Sequence, residues 1–115
     1  MRDYFRPIRM IVERNGYVPS EYCKHLEYPT DYRKDNYSIV FALYETIKKD
    51  YIPVVYIRYV SDEKSRAECI GTTGNENAFR YKNIPMYIMK KAIHNPSKAN
   101  TIFNNWEINQ VLKDI

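Results

Sequence analysis

The sequence has four soft metal ligands, that is, thiol and imidazole side chains, namely Cys23, His25, Cys69 and His94. A structural zinc site is normally built from two pairs of closely spaced ligands. Cys23 and His25 form one such pair, whereas Cys69 and His94 are 25 residues apart. This spacing favours structural thiols and surface imidazoles over a metal centre, so we expect neither a metal nor a cofactor. Two cysteines also fit a reducing compartment in which both thiols stay free.

Nucleophilic catalysis requires a Ser or Cys beside a base, usually within a recognisable local motif. The sequence contains no nucleophile elbow and no His-Glu-x-x-His segment, and only 3 of its 115 residues are glycine. Scarce glycine leaves little backbone for a tight oxyanion or phosphate loop. We therefore expect a protein without catalytic residues, which acts by occupying a surface of its partner.

The strongest chemical pattern is an alternation of cations and aromatic rings between residues 77 and 106, which we call the basic–aromatic segment. It contains 5 Lys or Arg residues and no acid, whereas the whole chain has a net charge of +4. Cations neutralise phosphates, and aromatic side chains stack on bases or anchor protein interfaces. The predicted binding residues are Tyr56, Arg58, Arg80, Tyr81, Lys82, Tyr87, Lys90, Lys91 and Lys98.

Tyr56 and Arg58 precede this segment in the chain and are included because a predicted strand projects both from one face. That face extends the same surface if the sheet meets the chain after Gly74. The alternative interpretation of the basic–aromatic segment is a solvated helix face, whose lysines serve solubility alone.

The elements that position these residues are organised around residues 38–60, the most apolar part of the chain. At period two, one face carries the apolar side chains Ile39, Phe41, Leu43, Val55, Ile57 and Tyr59. Residues 45–50 form a polar break between two runs rich in Val, Ile, Tyr and Phe, which predicts a β-hairpin. Residues 66–72 are a candidate third strand, and residues 38–49 also fit a helical period, so a helix there is the alternative.

At the N-terminal end, residues 5–14 have helical spacing, with a proline tolerated in the first turn. Asn15-Gly16 then forms the C-terminal cap, although the same pair is also a strong hairpin signal. Ser20 is predicted to cap a short helix over residues 20–28. Five tyrosines lie between residues 17 and 37, and we expect their rings to pack against the sheet while their hydroxyls stay in contact with water.

Two helices are predicted at the C-terminal end. The first covers residues 85–94 with Pro85 at its first position, and Ser97 caps the second. The pattern contains no internal repeat and no linker, so residues 1–115 are expected to form one domain. The predicted fold class is α+β: a three-stranded antiparallel meander with an N-terminal helix and two C-terminal helices.

The sequence has no apolar stretch of signal-peptide length and none long enough to span a membrane, so we expect a soluble, cytoplasmic protein with no membrane partner. Ile, Asn, Lys, Tyr and Phe, whose codons are AT-rich, make up 49 of the 115 residues. This bias is typical of low-GC bacteria, their phages and plasmids, and some viruses. For a virus-encoded protein the compartment is the host cytoplasm.

In its size, single predicted domain, lack of catalytic motifs and AT-rich coding, the chain resembles anti-defence proteins of phages and plasmids, such as anti-CRISPR proteins. The resemblance implies a non-enzymatic inhibitor or accessory factor. Its partner would be a larger nucleic-acid-handling protein or ribonucleoprotein, contacted through the basic–aromatic surface. The alternative is direct, largely non-specific binding of DNA or RNA by residues 77–106.

Overall fold

The computed structural model describes residues 3–45, 47–60, 78–80 and 84–113. The helices are α1 (Arg6–Arg14), α2 (Met86–His94) and α3 (Ala99–Lys113), and a 3-10 turn, Pro96–Lys98, joins the last two. The strands are β1 (Val18–Pro19), β2 (Asp31–Lys34), β3 (Tyr37–Glu45), β4 (Tyr51–Tyr59) and β5 (Ala78–Arg80). This is the predicted α+β fold, with one helix before an antiparallel sheet and two helices after it.

The central hairpin is formed by β3 and β4, which pair from Tyr37 opposite Tyr59 to Glu45 opposite Tyr51. The predicted hairpin is therefore confirmed, and the alternative helix over residues 38–49 is wrong. A strand forms here because period two brings Ile39 opposite Ile57, and both of these side chains are fully buried against the core.

The predicted count of three strands is wrong. Four strands of three or more residues, β2–β5, form the antiparallel sheet, and the two-residue β1 pairs at its edge. Strand β2 has the sequence DYRK, whose polar side chains hide the apolar alternation that marks a strand. Strand β5 pairs with Val54–Tyr56 of β4, and residues 66–72, the predicted third strand, lie outside the described residues.

The core lies between one face of the hairpin and the three helices. Cross-strand partners Phe41 and Val55 are buried there, as are Ile8 of α1 and Met89 of α2. Leu43, which was predicted to be buried, is 46% exposed. The buried cross-strand pairs of this face are the two at the middle of the hairpin, and Leu43 lies two residues nearer the tip, opposite Pro53.

Helix α1 ends as predicted, because Gly16 adopts a φ of 86° after Asn15. Such positive φ values cost glycine little, so Asn15-Gly16 terminates a helix here and the alternative hairpin turn is wrong. The residues that follow join α1 to α2 at their C-terminal ends. The Tyr17 hydroxyl donates to the Ile93 carbonyl at 2.8 Å, and His94 Nδ1 lies 2.9 Å from Asn15 Oδ1.

The predicted helix over residues 20–28 is not formed, and this segment is a series of turns. Ser20 accepts two backbone hydrogen bonds at its carbonyl, from the Cys23 N–H at 3.1 Å and the Lys24 N–H at 2.9 Å. Its own N–H is donated to the Asp31 carbonyl of β2, and its hydroxyl lies 3.1 Å from Cys23 Sγ. The sheet edge therefore takes the backbone that the helix would have used.

The C-terminal helices match the prediction apart from their first residues. Pro85 precedes α2 as its N-cap, and Ser97 lies within the 3-10 turn and donates to Asn95 Oδ1. Within the described ranges, no helix combines the length and the apolar character needed to cross a membrane.

Candidate protein-docking groove

An open groove of about 560 Å³ lies between α2 and α3. Its lining includes aromatic, aliphatic and basic side chains, namely Tyr87, Lys91, Ile102, Trp106, Leu112 and Lys113. Three amide side chains of α3 complete its polar lining. We call it the α2/α3 groove.

The α2 wall follows from helical geometry. Helix α2 buries Ile88, Met89, Ala92 and Ile93, so its remaining positions face outward. Tyr87 and Lys91 are four residues apart and therefore neighbours on the helix surface. The Lys91 ammonium lies 5.9 Å from the centroid of the Tyr87 ring, which places a cation against an exposed aromatic face.

The α3 wall is unusually apolar for an exposed helix. Only Ala99 and Phe103 of its 15 residues are buried. In its last two turns, Ile108, Val111 and Leu112 are each more than half exposed. These three positions are spaced i, i+3 and i+4 and therefore share one side of the helix, and of the three Leu112 lines the groove. Because α2 has 9 residues against the 15 of α3, it is too short to cover this end.

The charge of the groove is positive. Among the residues that the structure describes, its lining contains Lys91 and Lys113 and no acidic side chain. Between residues 86 and 113 the sequence has four lysines and a single acid, Glu107, which does not line the groove. The site therefore joins an apolar floor to a cationic rim.

Two of the nine predicted binding residues, Tyr87 and Lys91, line this groove. Lys90 and Lys98 are exposed but do not line it. The prediction of a basic and aromatic surface thus coincides with the α2/α3 groove at its α2 wall.

The other predicted binding residues lie elsewhere. Arg58 is buried, and its guanidinium carbon is 5.1 Å from the centroid of the Tyr56 ring on the same strand. The backbone of Arg80 pairs with that of Val54, so the chain after Gly74 continues the sheet along the edge of β4 and does not lie against the sheet face. Tyr81 and Lys82 lie outside the described residues.

Sequence reasoning missed the α3 wall. Ile102, Trp106 and Leu112 have spacing that is typical of a packing face, yet Ile102 and Trp106 are only partly buried and Leu112 is exposed. A signal was present in the sequence: adding Ile108 and Val111 to that set distributes apolar residues around the whole helix, which one packing face cannot accommodate.

The soft metal ligands do not come together in the described residues. Cys23 is buried, and its thiol donates to the Asp31 carbonyl at 3.2 Å. His25 is exposed, His94 contacts Asn15, and Cys69 lies outside the described residues. Across residues 3–45, 47–60, 78–80 and 84–113, no group of three or more His, Cys, Asp or Glu side chains is placed to hold a metal ion.

One buried carboxylate belongs to the sheet rather than to the groove. Asp31 accepts hydrogen bonds from the hydroxyls of Tyr22 and Ser38, both at 2.5 Å, and from Arg33 Nε at 3.3 Å. A carboxylate with this many donors is well satisfied. Its structural role is to attach the turns after β1 to β2 and β3.

Comparison of the chain with models of known protein families, with curated proteins and with solved structures finds no match. These comparisons therefore assign no substrate, cofactor or partner. The functional argument depends on the geometry and charge of the α2/α3 groove itself.

Proposed function

We propose that this protein is a small non-enzymatic interaction protein that binds a larger, nucleic-acid-handling protein through the α2/α3 groove. It acts as an inhibitor or accessory factor in the manner of phage and mobile-element anti-defence proteins. The observation that carries the proposal is the α2/α3 groove itself, where Trp106 and Tyr87 stand beside Leu112, which is 59% exposed.

The energetic reason is the cost of leaving such side chains in water. Fully burying one Leu, Ile or Val is worth about 1.5–3 kcal/mol relative to exposing it. A partner segment seated in the groove recovers much of this free energy at Leu112 and also covers the partly buried Ile102 and Trp106. Trp and Tyr are also the residue types at which binding energy concentrates, and the groove contains Trp106 and Tyr87. Docking of this kind blocks the covered surface of the target without any chemical step.

A second function, direct binding of DNA or RNA, is favoured by one observation. Lys90, Lys91 and Lys98 are exposed in an acid-free part of the chain, and exposed cations of this density attract phosphates. The aliphatic end of α3 favours protein docking over this alternative, because Ile, Val and Leu side chains neither neutralise phosphate nor stack on bases.

Site-specific photo-crosslinking in cells of the source organism tests the proposal. A benzophenone amino acid replaces Tyr87 in one variant and Tyr51 of β4 in a matched control, since these side chains are 58% and 61% exposed. We expect a protein crosslink from position 87 that position 51 does not give. Crosslinks to nucleic acid alone, or the same products from both positions, would contradict docking through this groove.

The captured protein then serves as the target in a titration. We expect its activity to fall in proportion to the added protein and to level off once its sites are saturated. Inactivation by sub-stoichiometric amounts would instead indicate an enzyme. A gel-shift series across salt concentration examines the second function, because binding through phosphates weakens steeply as salt rises.

A further inference from the structure

We propose that the occupant of the α2/α3 groove is an acidic amphipathic helix of the partner protein. The inference rests on the proposed function and specifies the chemistry of the segment that the groove receives. It follows from the shape of the groove, the positions of its apolar side chains and the sign of its charge.

The shape favours a helix. Two packed helices leave between them a groove in which the ridge of a third helix can lie. Helix α3 has 15 residues, so the groove has a wall roughly 22 Å long. A helical segment of similar length would present apolar side chains at positions i, i+3 or i+4, and i+7 to Ile102, Trp106 and Leu112.

The charge favours an acidic occupant. Lys91 stands on one wall and Lys113 on the other, and none of the described lining residues is an acid that would repel a carboxylate. Glutamates flanking the apolar stripe of an incoming helix would therefore meet a cation on either side. Such complementarity contributes to the association rate and to partner discrimination.

The same charges disfavour a second copy of this chain. A two-fold contact between two α2/α3 grooves would bring Lys91 and Lys113 of both copies to one interface, and like charges there are repulsive. Nucleic acid would satisfy the lysines but leave the aliphatic end of α3 in water. Both occupants remain outcomes that the following experiment separates.

The chain provides its own probe, because Trp106 is its single tryptophan and lines the groove. Trp106 fluorescence is measured during titration with a 15-residue helical peptide that carries leucines at i, i+4 and i+7 and glutamates on its flanks. The comparison ligands are the same peptide with lysine for every glutamate, a scrambled acidic peptide and an oligothymidine. Sedimentation at several protein concentrations reports self-association.

We expect a saturable blue shift of the emission with the acidic helical peptide and a much weaker response to the other ligands. Lys91→Glu should lower the affinity about fivefold, since it converts attraction into repulsion at an exposed position. Lys90→Glu is the matched control: it makes the same charge change one residue away, outside the groove, and should alter the affinity less than about twofold. Circular dichroism checks that each variant folds.

The inference is overturned if the acidic peptide gives no saturable response, if the lysine peptide binds equally well, or if Lys90→Glu and Lys91→Glu have equal effects. A response to oligothymidine alone would assign the groove to nucleic acid, and concentration-dependent dimerisation that Lys113→Glu strengthens would assign it to a second copy. These failures are distinct from failure of the proposed function, because a crosslink from position 87 to a partner would still show docking, by a segment of different chemistry.

Discussion

The ion pair between Arg9 and Asp3 is expected to contribute strongly to the free energy of unfolding. Arg9 is buried on α1, and its Nε and Nη2 donate to the Asp3 carboxylate at 3.0 and 3.1 Å. Its Nη1 donates to the Pro29 carbonyl and, at 3.1 Å, to the Tyr32 hydroxyl. The guanidinium carbon also lies between 5.2 and 5.8 Å from the centroids of three aromatic rings. One side chain thus holds the N-terminus, the turns before β2 and β2 itself.

Replacing Arg9 by Met keeps the length of the side chain and its apolar stem but removes all four donated hydrogen bonds. The Asp3 carboxylate loses its bidentate partner, and a buried carbonyl and a tyrosine hydroxyl each lose a donor. Since breaking a buried ion pair costs about 3–5 kcal/mol and the Asp3 side chain retains 11% exposure, we expect a loss of about 3 kcal/mol. Adding Asp3→Asn to Arg9→Met should restore about 1 kcal/mol, because no charge is then left without its partner.

The assay is urea unfolding of the wild type, both single variants and the double variant, combined as a double-mutant cycle. Burial alone would raise the pKa of Asp3, but hydrogen bonds from Arg9 and from the Phe5 N–H, together with the charges of Arg9 and Arg6, hold this pKa below its ordinary value of 3.8. The stability that the carboxylate contributes is therefore fully present above pH 3.8 and is lost as the pH falls through the lower folded pKa.

The gap in stability between the wild type and Arg9→Met should accordingly narrow as the pH falls below about 4. Three results would each refute this account of the pair. Arg9→Met could lower the free energy of unfolding by less than about 1 kcal/mol, or the effects of the two single variants could add up to that of the double variant. The stability difference between the wild type and Arg9→Met could also widen in acid.

Further predictions concern the core, a buried tyrosine and the lysines of α2. Ile57→Ala should cost about 2–4 kcal/mol in urea unfolding and Leu43→Ala under about 1 kcal/mol; the reverse order would show that the core extends to the hairpin tip. Tyr17→Phe should cost about 1 kcal/mol, because a carbonyl of α2 loses its donor. Burial, reinforced by Tyr37 and Asp35, raises the pKa of Tyr17 to about 12, so an ultraviolet titration should show a late-ionising phenol that Tyr17→Phe lacks. The Lys90→Glu, Lys91→Glu double variant should unfold within about 0.5 kcal/mol of the wild type and bind its partner more weakly; unchanged binding would reduce the basic–aromatic segment to a solubilising face.

The parts of the fold that the sequence predicts are those governed by local rules. Period two marks β3 and β4, and Gly16 marks the end of α1, because both signals depend on neighbouring residues alone. These local rules do not predict strand β2. Its Asp31 can be buried because donors from three separate positions in the chain hydrogen-bond to the carboxylate. Leu43 shows a second limit: alternation assigns a side chain to a face of the sheet but does not say how far the helices cover that face.

Of the two walls of the α2/α3 groove, the sequence predicts the α2 wall but not the α3 wall, again because local patterns do not show which neighbours cover a residue. Tyr87 and Lys91 stand out because charge and aromaticity alternate within one short stretch. Trp106 and Leu112 have the spacing of core residues, and spacing cannot reveal that the neighbouring helix is too short to cover them. Arg58 was expected on the surface from its charge, yet its guanidinium packs against the Tyr56 ring, and an arginine stem readily lies along apolar surface.

The junction of α1 with α2 determines when during synthesis this protein can become stable. The Tyr17–Ile93 and Asn15–His94 hydrogen bonds span 76 and 79 residues, so they cannot form until most of the chain has left the ribosome. Such distant contacts require a large loop to close first, which slows folding. Before that, the hairpin presents Ile39 and Ile57 to water with no α2 to cover them. The nascent chain therefore passes through a stage in which its central apolar surface is exposed to solvent, a condition under which aggregation competes with folding.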